Sequence, residues 1–211
     1  MLVIFMKKHL LGKTSSSVLP SYFVVFVGIV TVSVTAPLFD HLALGRFSFW
    51  FGLISFFALL PFVVNRVLVL KNLPEPIQPT ITIMAAPASL LLAGYLKSFP
   101  DRSVMTMLIL ACFSLGMLAV VLAFLPRLLK LKFYPSYAAF TFPFAISAVA
   151  VKGLNAALLK SGYELALLKA LTGILEAAAV LIVAYVLMRY LGFLLGVSGV
   201  KRRNIVGEGS K

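Results

Sequence analysis

The chain has 211 residues, of which 62% are hydrophobic, and its formal net charge is +13. A soluble domain of this size cannot bury so much apolar surface, so the composition excludes a water-soluble fold and predicts an all-α integral membrane protein. The positive charge does not indicate binding to nucleic acid, because the basic residues lie at the ends of apolar runs and form no single stripe.

Six uncharged runs are candidates for membrane-spanning helices. About 20 apolar residues cross a hydrocarbon core of about 30 Å, and lipid offers the backbone no hydrogen-bond partners, so each run is expected to be a helix. The runs cover residues 14–39, 47–65, 76–96, 103–126, 133–151 and 177–188, and the last reaches back to Ala170 if Glu176 is tolerated. We therefore divide the chain into an N-terminal segment (1–20), a six-helix transmembrane domain (21–195) and a polar tail (196–211).

The connections between these runs carry unequal numbers of basic residues. Those on one side, together with the two termini, hold about twice as many Lys and Arg residues as those on the other side. The positive-inside rule therefore predicts that the N-terminal segment and the tail are both cytoplasmic in a multi-pass protein of the cell membrane. The connections at residues 40–46, 97–102 and 152–163 are then expected outside.

The six runs pair into three hairpins, and the first helix of each hairpin carries an internal proline, which is Pro37, Pro87 or Pro143. Proline removes one backbone hydrogen bond and kinks a helix. Kinks at corresponding positions of internal repeats indicate a substrate path, although proline is also common in membrane helices generally. We favour a path, because the position repeats in all three hairpins.

Small side chains form a stripe along one face of each of these first helices. Such stripes indicate either a pore wall or close packing between helices, and helical periodicity alone does not distinguish the two. Phe142 places one large ring in the third stripe. The candidate pore-lining residues are Gly28, Thr31, Thr35, Thr82, Ala86, Ser89, Ala138 and Ala145.

Three charged residues, Lys97, Lys152 and Glu176, lie near the predicted ends of apolar helices. Lys97 and Lys152 continue two of the stripes at the predicted outer mouth, where they either concentrate anions or extend toward lipid headgroups. The second role is the commoner one for lysines at a membrane surface. Glu176 lies near Lys169 and close to the start of the last helix, so an ion pair at the membrane surface is expected there.

Enzyme chemistry is not indicated anywhere in the sequence. The single cysteine, Cys112, excludes an intrachain disulfide and is expected to be a small core or lipid-facing residue. The sequence contains no Gly-rich phosphate loop, no Ser/His/Asp arrangement and no metal-ligand spacing. We therefore predict no catalytic residues, no cofactor and no metal site.

Several stretches resemble one known family of membrane proteins. Residues 132–149 (KFYPSYAAFTFPFAISAV) resemble the ninth helix of the tellurite-resistance/C4-dicarboxylate transporter family, which includes the slow-type anion channels of plants. Residues 21–37 resemble its fifth helix, residues 84–95 its seventh, and residues 49–53 with 59–66 its sixth. The resemblance covers essentially the whole chain, and the ninth-helix text is its most specific part.

The resemblance implies ten helices in five hairpins around a quasi-fivefold axis, with the first helix of each hairpin lining a pore. It also implies that prolines kink the lining helices and that a phenylalanine before the ninth-helix proline occludes the pore. Phe142 stands at that position, although most phenylalanines in such a chain face lipid. Members carry anions such as dicarboxylates, sulfite or tellurite, and the bacterial members form trimers.

Only the C-terminal six helices of the family are matched, and residues 1–6 resemble the end of a preceding helix. Three hairpins do not close a five-hairpin ring, so a second copy in a homo-oligomer, or a partner chain, is expected to complete it. The predicted function is a transmembrane anion transporter or channel with a proline-kinked pore gated by a phenylalanine. The alternative is a truncated, non-transporting membrane scaffold, or a subunit that needs a partner chain.

Overall fold

The computed structural model describes residues 19–70 and 73–196, and the secondary structure of these residues is entirely helical. Most of the N-terminal segment, including the helix remnant expected at residues 1–6, and the tail from residue 197 onward lie outside the described residues. The structure therefore covers the transmembrane domain expected at residues 21–195, apart from residues 71–72.

Seven α-helices follow one another along the described chain, and several continue from or into tighter or wider helical turns. In chain order the α-helices are α1 (Tyr22–Val27), α2 (Val30–Thr35), α3 (Leu42–Val64), α4 (Ala85–Ser98), α5 (Val104–Leu128), α6 (Thr141–Lys160) and α7 (Ala166–Leu194). A 3₁₀ turn (Ala36–Phe39) follows α2, and a π-helical end (Asn65–Leu70) follows α3. A 3₁₀ helix (Glu75–Met84) leads into α4, and another (Pro135–Phe140) leads into α6.

Five helical stretches are long and apolar enough to cross a bilayer, which agrees with an all-helical membrane protein. The run predicted at residues 14–39 differs, because its described part is divided into α1, α2 and a 3₁₀ turn. The exact arrangement of six spans in three hairpins is therefore not confirmed. The five stretches are Leu42–Val69, Glu75–Ser98, Val104–Leu128, Pro135–Lys160 and Ala166–Leu194.

The stretch Glu75–Ser98 lies at the centre of the bundle. Within the protein, 94% of its most apolar window is buried, against 22% for Ala166–Leu194. The outer helices α3, α5 and α7 instead expose large apolar side chains, such as those of Trp50, Met105 and Leu187. Lipid tails solvate such side chains, so these three helices form the layer that faces the membrane.

A buried cluster of three serines joins α4, α5 and α6. The Ser89 Oγ lies 2.8 Å from the Ser114 Oγ and 2.9 Å from the Ser147 Oγ, and all three residues are fully buried. A second contact joins α4 to the first segment, which consists of α1, α2 and the 3₁₀ turn after α2. Here the Ser98 hydroxyl donates to the Ser33 carbonyl at 2.6 Å. Small hydroxyl residues are typical of contacts between membrane helices, where each such hydrogen bond contributes about 0.6 to 2 kcal/mol.

The bundle is held at its predicted inner end by Arg189 of α7. The Arg189 guanidinium lies 5.4 Å from the ring centre of Tyr137 and 5.9 Å from that of Tyr185, and it donates to the Leu131 carbonyl at 3.3 Å. The Tyr137 hydroxyl donates to the same carbonyl at 2.7 Å. These contacts fix the connection after α5 against α7 and against the 3₁₀ helix Pro135–Phe140, which carries Tyr137.

The two 3₁₀ helices also meet at this end. The Tyr134 hydroxyl donates to the Glu75 carboxylate at 3.1 Å, and the Ser136 hydroxyl donates to the Pro76 carbonyl at 2.5 Å. Partial burial, and then the hydrogen bond to Glu75, raise the pKa of Tyr134 above its ordinary value. The phenol therefore keeps its proton, and remains a donor, throughout the physiological pH range.

The π-helical end of α3 buries a positive charge. Arg66 is 6% exposed, and its Nε and Nη1 have no hydrogen-bond partner in the described part of the chain. π-Helical turns are rare and often accompany local functional or structural constraints. The guanidinium lies at the predicted inner end, the side on which the positive-inside rule expects basic residues.

Close contact between α3 and the first segment requires a residue without a side chain at Gly52. A Cβ built at this position would lie 2.0 Å from the Cγ2 of Val30, which is fully buried. Val30 cannot move aside easily, because β-branched side chains are stiff and its surroundings are packed. Gly116 in the middle of α5 is the opposite case, since a Cβ there would meet nothing within 4 Å.

We therefore expect Gly52→Ala to lower the stability of the protein by about 1 to 3 kcal/mol, the usual range for overpacking. Gly116→Ala is the matched control, and it should leave stability unchanged or raise it, because alanine favours a helix over glycine. The measurement is the thermal unfolding midpoint of both variants in the same mild detergent. Equal midpoints for the two variants would contradict the close contact at Gly52.

Candidate functional site

The inner helices are the three predicted lining segments: the first segment and the helices that continue as α4 and α6. Pro87 and Pro143 occupy the same place in the second and third of them. Each is the third residue of an α-helix, α4 or α6, that continues directly from a 3₁₀ helix. Proline has no N–H to offer the carbonyl four residues earlier, and in both helices the tighter 3₁₀ turns come just before it. Where the sequence predicts a kink, the structure has a change of helix type.

Pro37 does not follow this pattern, which corrects the predicted threefold repeat. It lies in the 3₁₀ turn at the end of the first segment, just before Asp40, whose φ of 58° is left-handed. The interruption in the middle of this segment falls instead at Gly28, between α1 and α2. A Cβ at Gly28 would lie 2.2 Å from the Val24 carbonyl oxygen, so the turn favours glycine.

A cavity of about 430 Å³ lies where the interrupted parts of the three inner segments meet. The first segment contributes its turn between α1 and α2, and the other two contribute the beginnings of α4 and α6. All three predicted lining helices therefore border one space. The lining includes Gly28, Thr31, Ala86, Pro87, Phe142 and Pro143.

Phe142 projects a ring toward this space. It is 46% exposed, whereas Phe140 and Phe144 are 0% and 3% exposed. Side chains two positions apart point to different faces of a helix, so burial of both neighbours leaves Phe142 on the open face. Phe142 is thus the aromatic side chain of α6 that borders the cavity.

The cavity wall is almost wholly apolar. None of the described residues that line it carries an ionisable side chain. The Thr31 hydroxyl lies on the wall, but it already donates to the Gly28 carbonyl at 2.7 Å. An anion in this space would therefore meet neither an opposite charge nor a free hydroxyl proton, which is the character of a hydrophobic constriction rather than of a tight binding site.

Thr82 and Ser89, two of the predicted lining residues, serve helix packing instead. Both are fully buried. The Thr82 hydroxyl lies 2.8 Å from both the Ala139 carbonyl and the Pro79 carbonyl, between which its one proton is shared. Ser89 belongs to the serine cluster that joins α4, α5 and α6. Of the two roles that the stripes allowed, these residues therefore take the packing role.

The hydrogen bond from Thr82 to Ala139 compensates for a proline. Pro143 lies four residues after Ala139 and cannot give that carbonyl the usual helical hydrogen bond. Thr82, on the neighbouring inner helix, offers this carbonyl a hydroxyl donor that it shares with the Pro79 carbonyl of its own helix. In lipid a carbonyl without a donor is costly, so this bond joins two inner helices at the level of the cavity.

The remaining predicted lining residues lie off the cavity wall. Thr35 and Ala138 are exposed elsewhere on the surface, and Ala145 is partly buried. The wall instead includes larger side chains that lie one helical turn from Gly28, Thr31 or Ala86. A pattern of small residues does not identify them. These residues are Val24, Val27, Ile83 and Leu90.

Lys152 is paired with Glu176, which corrects the predicted pairing of Glu176 with Lys169. The Lys152 Nζ lies 2.8 Å from the Glu176 Oε1, and the two side chains are 68% and 44% exposed. Helix α7 begins at Ala166, so Glu176 lies about 15 Å along it, deeper than the sequence suggests. Lys97 lies exposed in the last turn of α4, and no ion pair ties it to another described residue.

Comparison with known families supports the resemblance noted in the sequence. The family model described as SLAC1, voltage-dependent anion channel, matches residues 1–191, which is nearly the whole chain. Searches among curated proteins and among solved structures give no match. The chain therefore belongs to the voltage-dependent anion channel (SLAC1) family, a family of multi-pass membrane channels and transporters of the tellurite-resistance/C4-dicarboxylate transporter type.

Proposed function

We propose that this chain forms the wall of an anion passage in the membrane, with the cavity beside Phe142 as its narrow part. The observation that carries this proposal is the meeting of all three inner segments around one cavity at their interruptions. Membership of an anion-channel family supports the same conclusion. The substrate class is a small anion of the dicarboxylate, sulfite or tellurite type.

Movement through this passage is passive or secondary, and the apolar wall decides its mechanism. A hydrophobic constriction blocks ions when it empties of water and conducts when it is wide enough to stay hydrated. Phe142 is the ring best placed to set that width, because it is half exposed at the cavity and follows directly on a change of helix type. Rotation of this ring away from the axis opens the passage.

The charge of the protein raises the local concentration of anions. The formal net charge is +13, and an excess of basic residues at the ends of the helices makes both mouths attractive to anions. Selectivity for anions over cations then comes from the field at the mouths rather than from charged groups in the constriction. Of the two lysines predicted at the outer mouth, Lys97 contributes more, because the charge of Lys152 is balanced by Glu176.

A second copy of the chain, or a partner chain, completes the passage. The cavity is open on one side in the single chain, where Val24, Thr31 and Phe142 are all exposed. An aqueous passage open to lipid is unfavourable, so another set of helices must cover these residues. The alternative function, a membrane scaffold without transport, would leave the same surface facing lipid.

Replacing Phe142 with alanine should widen the constriction and raise anion efflux from liposomes several-fold. Phe51→Ala is the matched control, because it removes a ring with a similar exposure, 38%, from α3, away from the cavity. Phe140→Ala and Phe144→Ala should instead lower stability, since both rings are buried. Efflux is compared at equal amounts of reconstituted protein, and the same rate for Phe142→Ala and Phe51→Ala would contradict the gate.

Lys97→Gln should lower efflux at an ionic strength near 0.01 M, where the Debye length is about 30 Å, and should have little effect near 1 M. Lys152→Gln should also lower efflux at low salt, because it leaves the negative charge of its partner Glu176 uncompensated. Glu176→Gln should raise efflux at low salt by releasing that charge. If Lys97→Gln leaves low-salt efflux unchanged, Lys97 serves only as a membrane-surface anchor.

The active assembly should contain more than one chain. We expect protein extracted in mild detergent to elute at a mass larger than that of one copy, or together with a partner chain. Light scattering coupled to gel filtration gives this mass, and efflux is then measured on the same fractions. A monomer that conducts anions would contradict the requirement for a second wall, whereas an oligomer without efflux would favour the scaffold.

A further inference from the structure

A second cavity, of about 320 Å³, forms an apolar groove on the membrane-facing side of the bundle. It lies between the outer helices α3 and α5, and the end of α4 forms its floor. Its lining is dominated by rings and branched aliphatic side chains. The groove is lined by, among others, Phe49, Trp50, Phe57, Phe99, Ile109 and Phe113.

The groove, together with the arginine that precedes it, spans about the depth of one leaflet of a bilayer. On α3 it extends from Phe49 to Phe57, and Arg46 precedes it by one helical turn on the same side. From Arg46 to Phe57 the helix advances about 16 Å, which is close to half of the roughly 30 Å hydrocarbon core. The groove itself covers about 12 Å of this length, so the groove and Arg46 together match the depth of one lipid.

Arg46 is fixed at the predicted outer end of the groove. Its guanidinium carbon lies 5.7 Å from the centre of the Phe99 ring, and its Nε donates to the Ser98 carbonyl at 3.3 Å. No carboxylate among the described residues forms an ion pair with it. The positively charged guanidinium is thus held at the end of an apolar groove that faces the membrane, and its other N–H groups are left to bind a ligand.

We propose that this groove is a binding site for one phospholipid of the predicted outer leaflet. The lipid phosphate binds the Arg46 guanidinium, since planar guanidinium groups make strong, charge-assisted hydrogen bonds to phosphate oxygens. One acyl chain lies along the groove toward Phe57 and Phe113 and covers apolar surface between α3 and α5. A charged group at one end of an apolar groove, the two together spanning about one leaflet, matches an amphipathic lipid better than a free anion or a purely apolar ligand.

The site lies apart from the anion passage and does not rest on it. The residues of the two cavities do not overlap, because the groove uses α3, α5 and the end of α4, whereas the passage uses the first segment and the beginnings of α4 and α6. Lipid bound in the groove contacts both outer helices and the end of α4. Binding is therefore expected to raise thermal stability.

The test uses the whole protein in detergent, titrated with dioleoyl phosphatidylglycerol and followed by native mass spectrometry. Dioleoylglycerol, which has the same chains and no phosphate, is the comparison probe. We expect one phosphatidylglycerol per chain, and Arg46→Gln should weaken its binding about tenfold without affecting dioleoylglycerol. Lys160→Gln, which removes a charge from the predicted outer end of α6, should leave both probes unchanged.

A second pair of variants tests the groove itself. Ile109→Trp should fill it and weaken both probes, whereas Ile174→Trp, on the exposed face of α7, should weaken neither. Equal phosphatidylglycerol binding by the wild type, Arg46→Gln and Ile109→Trp would overturn the site. So would an Ile109→Trp variant that changes the number of chains per complex and leaves lipid binding intact, since that result assigns the groove to a second copy.

Discussion

Lipid offers no hydrogen bonds to a polypeptide backbone, and the inner helices of this protein depend on short hydroxyl side chains to meet that constraint. Each proline in an inner helix leaves a carbonyl without its usual donor. Thr82 offers a donor to Ala139, which it shares with the Pro79 carbonyl, and the serines of α4, α5 and α6 bond to one another in the core. These hydroxyls allow α4 to be buried almost completely while its neighbour α6 changes helix type beside it.

The same changes of helix type create the space on which the proposed function depends. A regular helix would present a continuous ridge to its neighbours, whereas a turn at Gly28 and two 3₁₀-to-α transitions leave a gap between three segments. Because the polar groups nearby are used in packing, that gap is apolar. The protein thus combines a basic net charge with an uncharged cavity, which is the arrangement that the proposed anion passage requires.

Helical periodicity and family resemblance predicted an all-helical membrane fold, and five of the predicted apolar runs are long helices in the structure. Periodicity places a residue on a face but does not say which helix packs there, so it did not separate Thr82 and Ser89 from a pore wall. Ion pairs between residues distant in sequence, such as Lys152 and Glu176, depend on how two helices pack against each other, which periodicity does not predict. Large lining residues such as Val27 and Leu90 resemble core residues until the cavity is seen.

The ion pair between α6 and α7 bears on how the chain is assembled during synthesis. A carboxylate carried about 15 Å into an apolar helix opposes partition of that helix from the translocation machinery into lipid. Lys152 precedes Glu176 in the chain and lies on the helix that is made first, so the neutralising cation is already present when α7 emerges. We therefore expect the last hairpin to enter the bilayer as one unit, and α7 made alone to be retained poorly by the membrane.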